Sequence, residues 1–322
     1  MTFSKSRFAR LLPAKLAPGL LVARDAPKDR LTPADRDGAG NQELQFLVVG
    51  DWGRNGRDHQ RGVAAEMARV AGRRRDRFVI SVGDNFYEDG VTSTEDRQWQ
   101  TSFEKVYAAS SLQVPWYCIL GNHDYHGRPQ AQLEYAEIHP RWQMPARYYT
   151  AVEALPDGQA VRFCFIDTSP LITEYRDQVK LAAEVHRQDA EAQLRWLDQA
   201  LRHSGERWKV VVGHHPVYSG GEHGTQAELV NRLLPLLRKH NVQVYLNGHE
   251  HDLQHIVRNG MHFFTTGAGS QVRVSQAIEG SRFARGVPGF LAMSMNAERL
   301  RAEFCGADGT LLYQADIQSA EM

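Results

Sequence analysis

Five times between Leu44 and His249 a short apolar run ends in glycine followed at once by Asp, Asn or His. The five are Leu44 to Val49 before Gly50-Asp51, Phe78 to Val82 before Gly83-Asp84, Trp116 to Leu120 before Gly121-Asn122, Trp208 to Val212 before Gly213-His214, and Val242 to Asn247 before Gly248-His249. Such runs, rich in Val, Ile, Leu and aromatics and bounded by glycine, read as strands buried on both faces. Between them lie segments of helical spacing: Val63, Met67 and Val70; Trp99, Phe103, Val106 and Tyr107; Leu194, Leu197 and Leu201. Alternating strand and helix predicts an α/β fold with a largely parallel sheet. Ligands of such sheets bind outside the carboxyl ends of the strands, where all five polar residues project. A single strand before Gly-Asp is explained by turn chemistry alone. Five that supply only Asp, Asn and His read as one site assembled from five loops on a rigid scaffold.

The donor types narrow the chemistry. Carboxylates, an amide oxygen, imidazoles and a phenol suit Fe, Zn or Mn rather than Ca, which prefers oxygen alone. His251 follows His249 by two residues, on the same side of an extended segment, and Tyr87 follows Asp84 by three. These donors exceed the roughly four to six that one ion takes, so the pattern predicts two ions sharing a carboxylate.

Composition excludes several alternatives. With 42% hydrophobic and 24% charged residues, the 322-residue chain is of the soluble globular class. Its 38 Lys and Arg balance 38 Asp and Glu, which argues against chain-wide attraction to nucleic acid or an acidic membrane. No apolar run approaches the roughly 18 residues that span a bilayer. Arg73, Arg74, Arg75 and Arg77 fall at the carboxyl end of a helix starting near Gln60, where cations offset the helix dipole. Cys118, Cys164 and Cys305 have no CxxC spacing and sit in strand-like runs, so buried thiols are expected. Residues 1–40 form an N-terminal extension with linker. Lys5 to Lys15 before Leu16 to Ala23 has the order of a signal peptide, but the apolar run is short and holds Pro18 and Gly19. Residues 41–322 read as one domain. Gly289 to Asn296, Leu300 to Cys305 and Leu311 to Ile317 alternate as antiparallel strands that complete a second sheet.

Gly50-Asp51-Trp52-Gly53, Gly83-Asp84-Asn85-Phe86-Tyr87, Gly121-Asn122-His123-Asp124, Gly213-His214-His215-Pro216 and Gly248-His249-Glu250-His251 together resemble the five motifs of the purple acid phosphatases, most closely the small, mammalian-like, tartrate-resistant type among the calcineurin-like metallophosphoesterases. The likeness runs in order over residues 44 to 270. It implies a four-layer α/β/β/α sandwich of two mixed sheets flanked by helices. It also implies that Asp51, Tyr87 and His251 hold Fe(III), that Asn122, His214 and His249 hold a divalent Fe, Zn or Mn, and that Asp84 bridges the two. The wider superfamily usually has histidine where Gly53 stands here, and Tyr87 supplies the missing donor, whose phenolate would give the family its colour.

The resemblance further implies a hydrolase, an acid phosphatase of small phosphomonoesters that works by in-line attack of a metal-bound hydroxide. His123 and His223 match the family's two outer histidines, able to bind phosphate or protonate the leaving oxygen, with Glu222 placed to orient a neighbouring imidazole. His215 is expected to point away from the metals as a wall of the cleft, and His126 and His255 to pack or face solvent. Residues 170–188 align with an exposed loop beside the active site and read as a lid. The mammalian disulfide is missing, since no cysteine lies near Thr173 or Glu228. A Mn or Zn phosphodiesterase and a catalytically silent metal-binding relative stand as alternatives. Substrate identity, oligomeric state and compartment stay open, although the resemblance suggests export.

Overall fold

In the strand Leu44–Val49, Leu44, Phe46 and Val48 alternate with Leu47 and Val49, and all five are buried. The first set packs toward a second sheet and the other toward helices, so both faces of the strand are covered. The computed structural model describes residues 31–32 and 42–319, which leaves most of the N-terminal extension outside the described residues.

One sheet runs, edge to edge, Leu311–Gln318, Arg299–Gly306, Gly289–Met295, Leu44–Val49, Phe78–Ser81, Trp116–Cys118 and Trp142–Gln143. The other runs Leu31–Thr32, Tyr149–Ala154, Ala160–Phe165, Trp208–Val212, Val244–Asn247, Met261–Thr266, Leu253–Arg258 and Ser281–Arg285. Each mixes parallel and antiparallel pairs. Between the sheets, Phe163 meets Phe46 edge-on with ring centroids 5.5 Å apart and Phe78 at 5.7 Å. On the outer faces, the helix Gln60–Arg74 buries Val63, Met67 and Ala71, and the helix Ala190–Arg202 buries Leu197 and Leu201. This is the expected α/β/β/α sandwich.

Local chemistry sets the helix ends. Asp189 caps Ala190–Arg202 by accepting from the Ala192 amide at 2.8 Å. Arg75 closes Gln60–Arg74 in left-handed backbone, φ 61°, with its amide on the Ala71 carbonyl. Arg74 in that last turn donates to Glu303 Oε2 at 3.0 Å and so serves the fold.

Two expectations need correction. The three C-terminal strands are antiparallel, but they extend the sheet of Leu44–Val49 rather than complete the other. Leu291, Met293 and Met295 stand opposite Val48, Phe46 and Leu44 and continue the same inward apolar row. The Trp99 to Tyr107 segment is not an amphipathic α-helix. Its helical part, Trp99–Glu104, is π-helical, and Trp99 stacks on Tyr135 at 3.5 Å while Phe103 meets Trp142 at 5.0 Å. These rings join Trp52 and Phe86 in an aromatic base beneath the loops carrying Asp51 and Asp84.

Candidate metal centre

Leu44–Val49, Phe78–Ser81 and Trp116–Cys118 run parallel in one sheet, Trp208–Val212 and Val244–Asn247 in the other, and the loops leaving their carboxyl ends meet, Asp84 with His214 and Asp51 with His249. Asp51, Asp84 and His249 leave their strands with φ of 59°, 51° and 69°. Left-handed backbone costs a residue with a Cβ about 1–2 kcal/mol, a strain typical of functional loops. It turns each side chain inward. The neighbouring glycines make room: a Cβ on Gly121 would fall 2.2 Å from Asp84 Oδ1, and one on Gly248 2.3 Å from Asp51 Oδ2.

The seven expected ligands converge in two groups. In the first, Tyr87 Oη lies 2.8 Å from Asp51 Oδ1 and 3.1 Å from His251 Nε2, and His251 Nε2 lies 3.5 Å from Asp51 Oδ1. In the second, Asn122 Oδ1 lies 3.2 Å from His214 Nε2 and 3.0 Å from His249 Nδ1. Asp84 joins them. Its Oδ2 is 2.7 Å from Tyr87 Oη and 3.5 Å from His214 Nε2. Asp51, Asp84, Tyr87, His214 and His251 are buried, and Asn122 and His249 are half-buried at the opening.

The electrostatics are those of a cation site. Burial, then the Asp51 and Asp84 carboxylates, push the Tyr87 phenol well above its ordinary range. Burial opposes ionisation of Asp84, yet the His214 and His123 imidazoles hold its carboxyl well below the usual range. His214 is raised against its own burial by Asp84, so the pair keeps a proton where a cation would sit. Burial and neighbouring imidazoles depress His249, which leaves it neutral with a lone pair to offer. His214 Nδ1 lies 2.9 Å from the Val82 carbonyl, which sets Nδ1 as the protonated nitrogen and turns Nε2 to the cluster.

His123 adjoins the first group of donors and His223 the second. The His123 ring is 4.5 Å from that of Tyr87, its amide donates to Asp84 Oδ1 at 2.8 Å, and its Nδ1 is 2.6 Å from the Glu88 carbonyl. The His223 ring is 4.4 Å from that of His249. Glu222 does not orient an imidazole directly, because its carboxylate pairs with Arg273 Nε at 3.2 Å, and Arg273 is the group that reaches His223. His215 lies close enough to His214 and His249 to suggest a third nitrogen donor. Both its nitrogens are engaged elsewhere, Nδ1 with Thr168 Oγ1 at 2.7 Å and Nε2 with Tyr175 Oη at 2.9 Å, so it is a buried wall. His126 pairs with Asp89 at 3.4 Å, and His255 bonds Tyr313 and His262 away from the site.

The segment 170–188 is tied down more firmly than an exposed loop. Leu171, Ile172, Tyr175, Leu181 and Val185 are buried, Tyr175 reaches His215, and Lys180 Nζ lies 2.7 Å from Asp89. The Thr173 amide donates to Glu228 Oε1 at 2.9 Å, which links the two neighbourhoods where the mammalian disulfide is missing. Cys118 and Cys164 are buried and Cys305 is half-buried.

Sequence reasoning missed the layer behind the ligands. Asp124 accepts from the Gly121 amide at 2.9 Å and the Asn85 amide at 3.1 Å, and so steadies the Asn122 and Asp84 loops; burial and then Asp84 push it up to about 7. Buried Glu250 accepts from the His223 and Gly224 amides at 2.9 and 2.8 Å and fixes the His223 loop. Arg54 lies 4.0 Å over the Tyr87 ring. Asp124 and Glu250 were visible within quoted motifs, but only three-dimensional partners reveal their role.

The residues fit a pair of cations. Two buried carboxylates, a phenol, an amide oxygen and three imidazoles aim donor atoms at two points joined by Asp84. A buried cluster of this kind needs positive charge to offset its desolvation. The protonated Tyr87 and His214 are the stand-ins that cations would replace.

The calcineurin-like phosphoesterase family matches residues 44–253. The chain is 37% identical to purple acid phosphatase 3 of Arabidopsis thaliana over 88% of its own length and 79% of that protein's. It is 34% identical to human tartrate-resistant acid phosphatase type 5 over 89% and 94% of the two chains. Among solved structures it is similar to GAP50, the anchor in the inner membrane complex of Plasmodium, with a TM-score of 0.77 and 26% identity over 87% and 90% of the chains. The purple acid phosphatase PPD1 of yellow lupin seeds shares its fold, with a TM-score of 0.64 at 14% identity over 87% of this chain and 54% of that one. The chain belongs to the calcineurin-like phosphoesterases and, within them, to the purple acid phosphatases.

Proposed function

We propose that this protein is a binuclear metal-dependent acid phosphatase that hydrolyses phosphomonoesters. One observation supports the reading: Asp84 Oδ2 stands between Tyr87 Oη at 2.7 Å and His214 Nε2 at 3.5 Å, where its carboxylate would join the two groups of donors. Asp51, Tyr87 and His251 would hold the trivalent ion, iron, because two anionic oxygens favour the higher charge. Asn122, His214 and His249 would hold the divalent partner, whose two neutral nitrogens and amide oxygen suit Fe, Zn or Mn. Such a pair supplies charge neutralisation and activation of water for in-line displacement at phosphorus.

The chain's own groups bind the ester and manage its protons. His123 is oriented by the Glu88 carbonyl at Nδ1, which leaves Nε2 for a phosphate or leaving-group oxygen. His223 is held through its backbone by Glu250 and at Nε2 by Arg273, which leaves Nδ1 for the same task. His123 can donate a hydrogen bond to phosphate or a proton to the departing alkoxide, whereas His223, whose Nε2 accepts from Arg273, can donate a hydrogen bond to phosphate from Nδ1. The buried walls, His215 among them, exclude bulk water and strengthen these interactions. Purified, metal-loaded protein is expected to release p-nitrophenol from p-nitrophenyl phosphate with an acid optimum. No hydrolysis from acid to alkaline pH would overturn the proposal.

A further inference from the structure

Arg54 carries a full charge yet is only 6% exposed. Its guanidinium carbon lies 4.0 Å over the centre of the Tyr87 ring. The backbone leaves it little choice of place. The Arg54 amide donates to Gln60 Oε1 at 3.1 Å, and Gln60, itself fully buried, donates from Nε2 to the Ser102 carbonyl at 2.7 Å. The Tyr87 amide donates at 2.9 Å to the carbonyl of Gly53, the residue before Arg54. The two loops are therefore bonded to each other where the cation meets the ring.

The carboxylates around this guanidinium do not account for its position. Nη1 donates to Glu88 Oε1, whose side chain is 72% exposed, and Nε stands 3.8 Å from Asp58 Oδ2, beyond hydrogen-bond reach. Nε is also buried without a hydrogen-bond partner among the described residues. A head group that served only these carboxylates could follow them toward water at lower cost. It lies instead on the face of a ring, whose π-density attracts a cation. A phenolate attracts it more strongly than a phenol, because the anion adds a direct charge–charge attraction in a site with little water to screen it.

We propose that Arg54 is a positioning residue for the Tyr87 phenolate, which holds the ring by its face and, through its charge, weakens electron donation from the phenolate oxygen to the ferric ion. The inference rests on the reading that Tyr87 holds iron. An electron leaves a ring less easily when a cation faces it, so the ring-to-iron charge transfer that gives the colour moves to higher energy. The same positive charge favours the ferrous over the ferric state. Glu88 opposes both effects, but its exposed carboxylate is screened by water and offsets them only in part.

The test records the visible spectrum and the iron reduction potential of the metal-loaded full chain and of its Arg54→Gln, Arg54→Lys and Glu88→Gln variants, with metal content and Tm alongside. Arg54→Gln is expected to move the absorption maximum to longer wavelength by about 10 nm or more and to lower the potential. Arg54→Lys keeps the charge without the planar face, and is expected to fall between Arg54→Gln and wild type. Glu88→Gln leaves the guanidinium uncompensated and is expected to move both readings the opposite way. A merely structural role would lower Tm and move neither reading, so an unshifted band and potential in Arg54→Gln with iron retained would overturn the inference. If Arg54→Gln loses its iron, Glu88→Gln decides: a shorter wavelength with a higher potential supports the inference, and any other result overturns it. A wild-type chain that binds no iron, or binds it without colour, would overturn the Tyr87 reading itself and this inference with it.

Discussion

A Cβ on Gly53 would fall 1.8 Å from the Asn85 carbonyl oxygen, and the Tyr87 amide donates to the Gly53 carbonyl at 2.9 Å. The loop that delivers Tyr87 therefore lies directly on Gly53 and leaves no room there for a histidine side chain. Gly53→His is expected to displace that loop and abolish metal binding at the Tyr87 side, read as lost iron in elemental analysis. Retained iron would separate the two positions. Glu250→Gln weakens the carboxylate that gathers the His223 loop, and a loss of about tenfold in kcat/KM with unchanged metal content is expected. Away from the site, Asp76 is buried beside Arg74 at 3.4 Å, and burial pushes its carboxyl up to about 6 from an ordinary 3.8. Between those values the folded chain binds more protons than the unfolded one, so this group makes stability fall as pH rises toward 6. Asp76→Asn is expected to be more stable than wild type by about 1–3 kcal/mol at neutral pH and no more stable below pH ~4. Denaturation at both pH values checks this, and a constant difference would refute it.

Among the elements, the strands that carry ligands were legible because their apolar runs end sharply at glycine, and all five occur where the sequence places them, two with the same ends and three shortened by one or two residues. The π-helical Trp99–Glu104 was not, since its aromatic spacing mimics an amphipathic helix while its rings answer to Trp52, to Tyr135 in the helix Pro129–Ile138 and to Trp142 in the strand Trp142–Gln143. The segment 170–188 was half legible. Its polarity suggested a loop by the site, but its anchors come from elements remote in sequence. Tyr175 is the anchor nearest the metals, and Tyr175→Phe would leave buried His215 Nε2 without its partner. A loss of about 1–3 kcal/mol is expected in chemical denaturation, with metal content unchanged. Unaltered stability would show that the segment is not held there.

At the scale of the molecule, two sheets packed through Phe46, Phe78 and Phe163 bring the carboxyl ends of five strands together, where Asp84 meets His214 and Asp51 meets His249. The candidate ligands were readable from their positions alone. Asp124, Glu250 and Arg273 were not, because their significance lies in which loop they hold rather than in their type. A formal charge of zero is also incomplete for such a chain, since the centre is built around cations that the residue count omits. The central claim is that one carboxylate joins two metal sites, one of them coloured by Tyr87. Metal analysis with a visible spectrum of the purified protein and its Tyr87→Phe variant tests it most directly. The account predicts two ions per chain, one of them iron, with a violet absorption that the variant loses. One ion or none per chain, or a colour that survives the substitution, would contradict it.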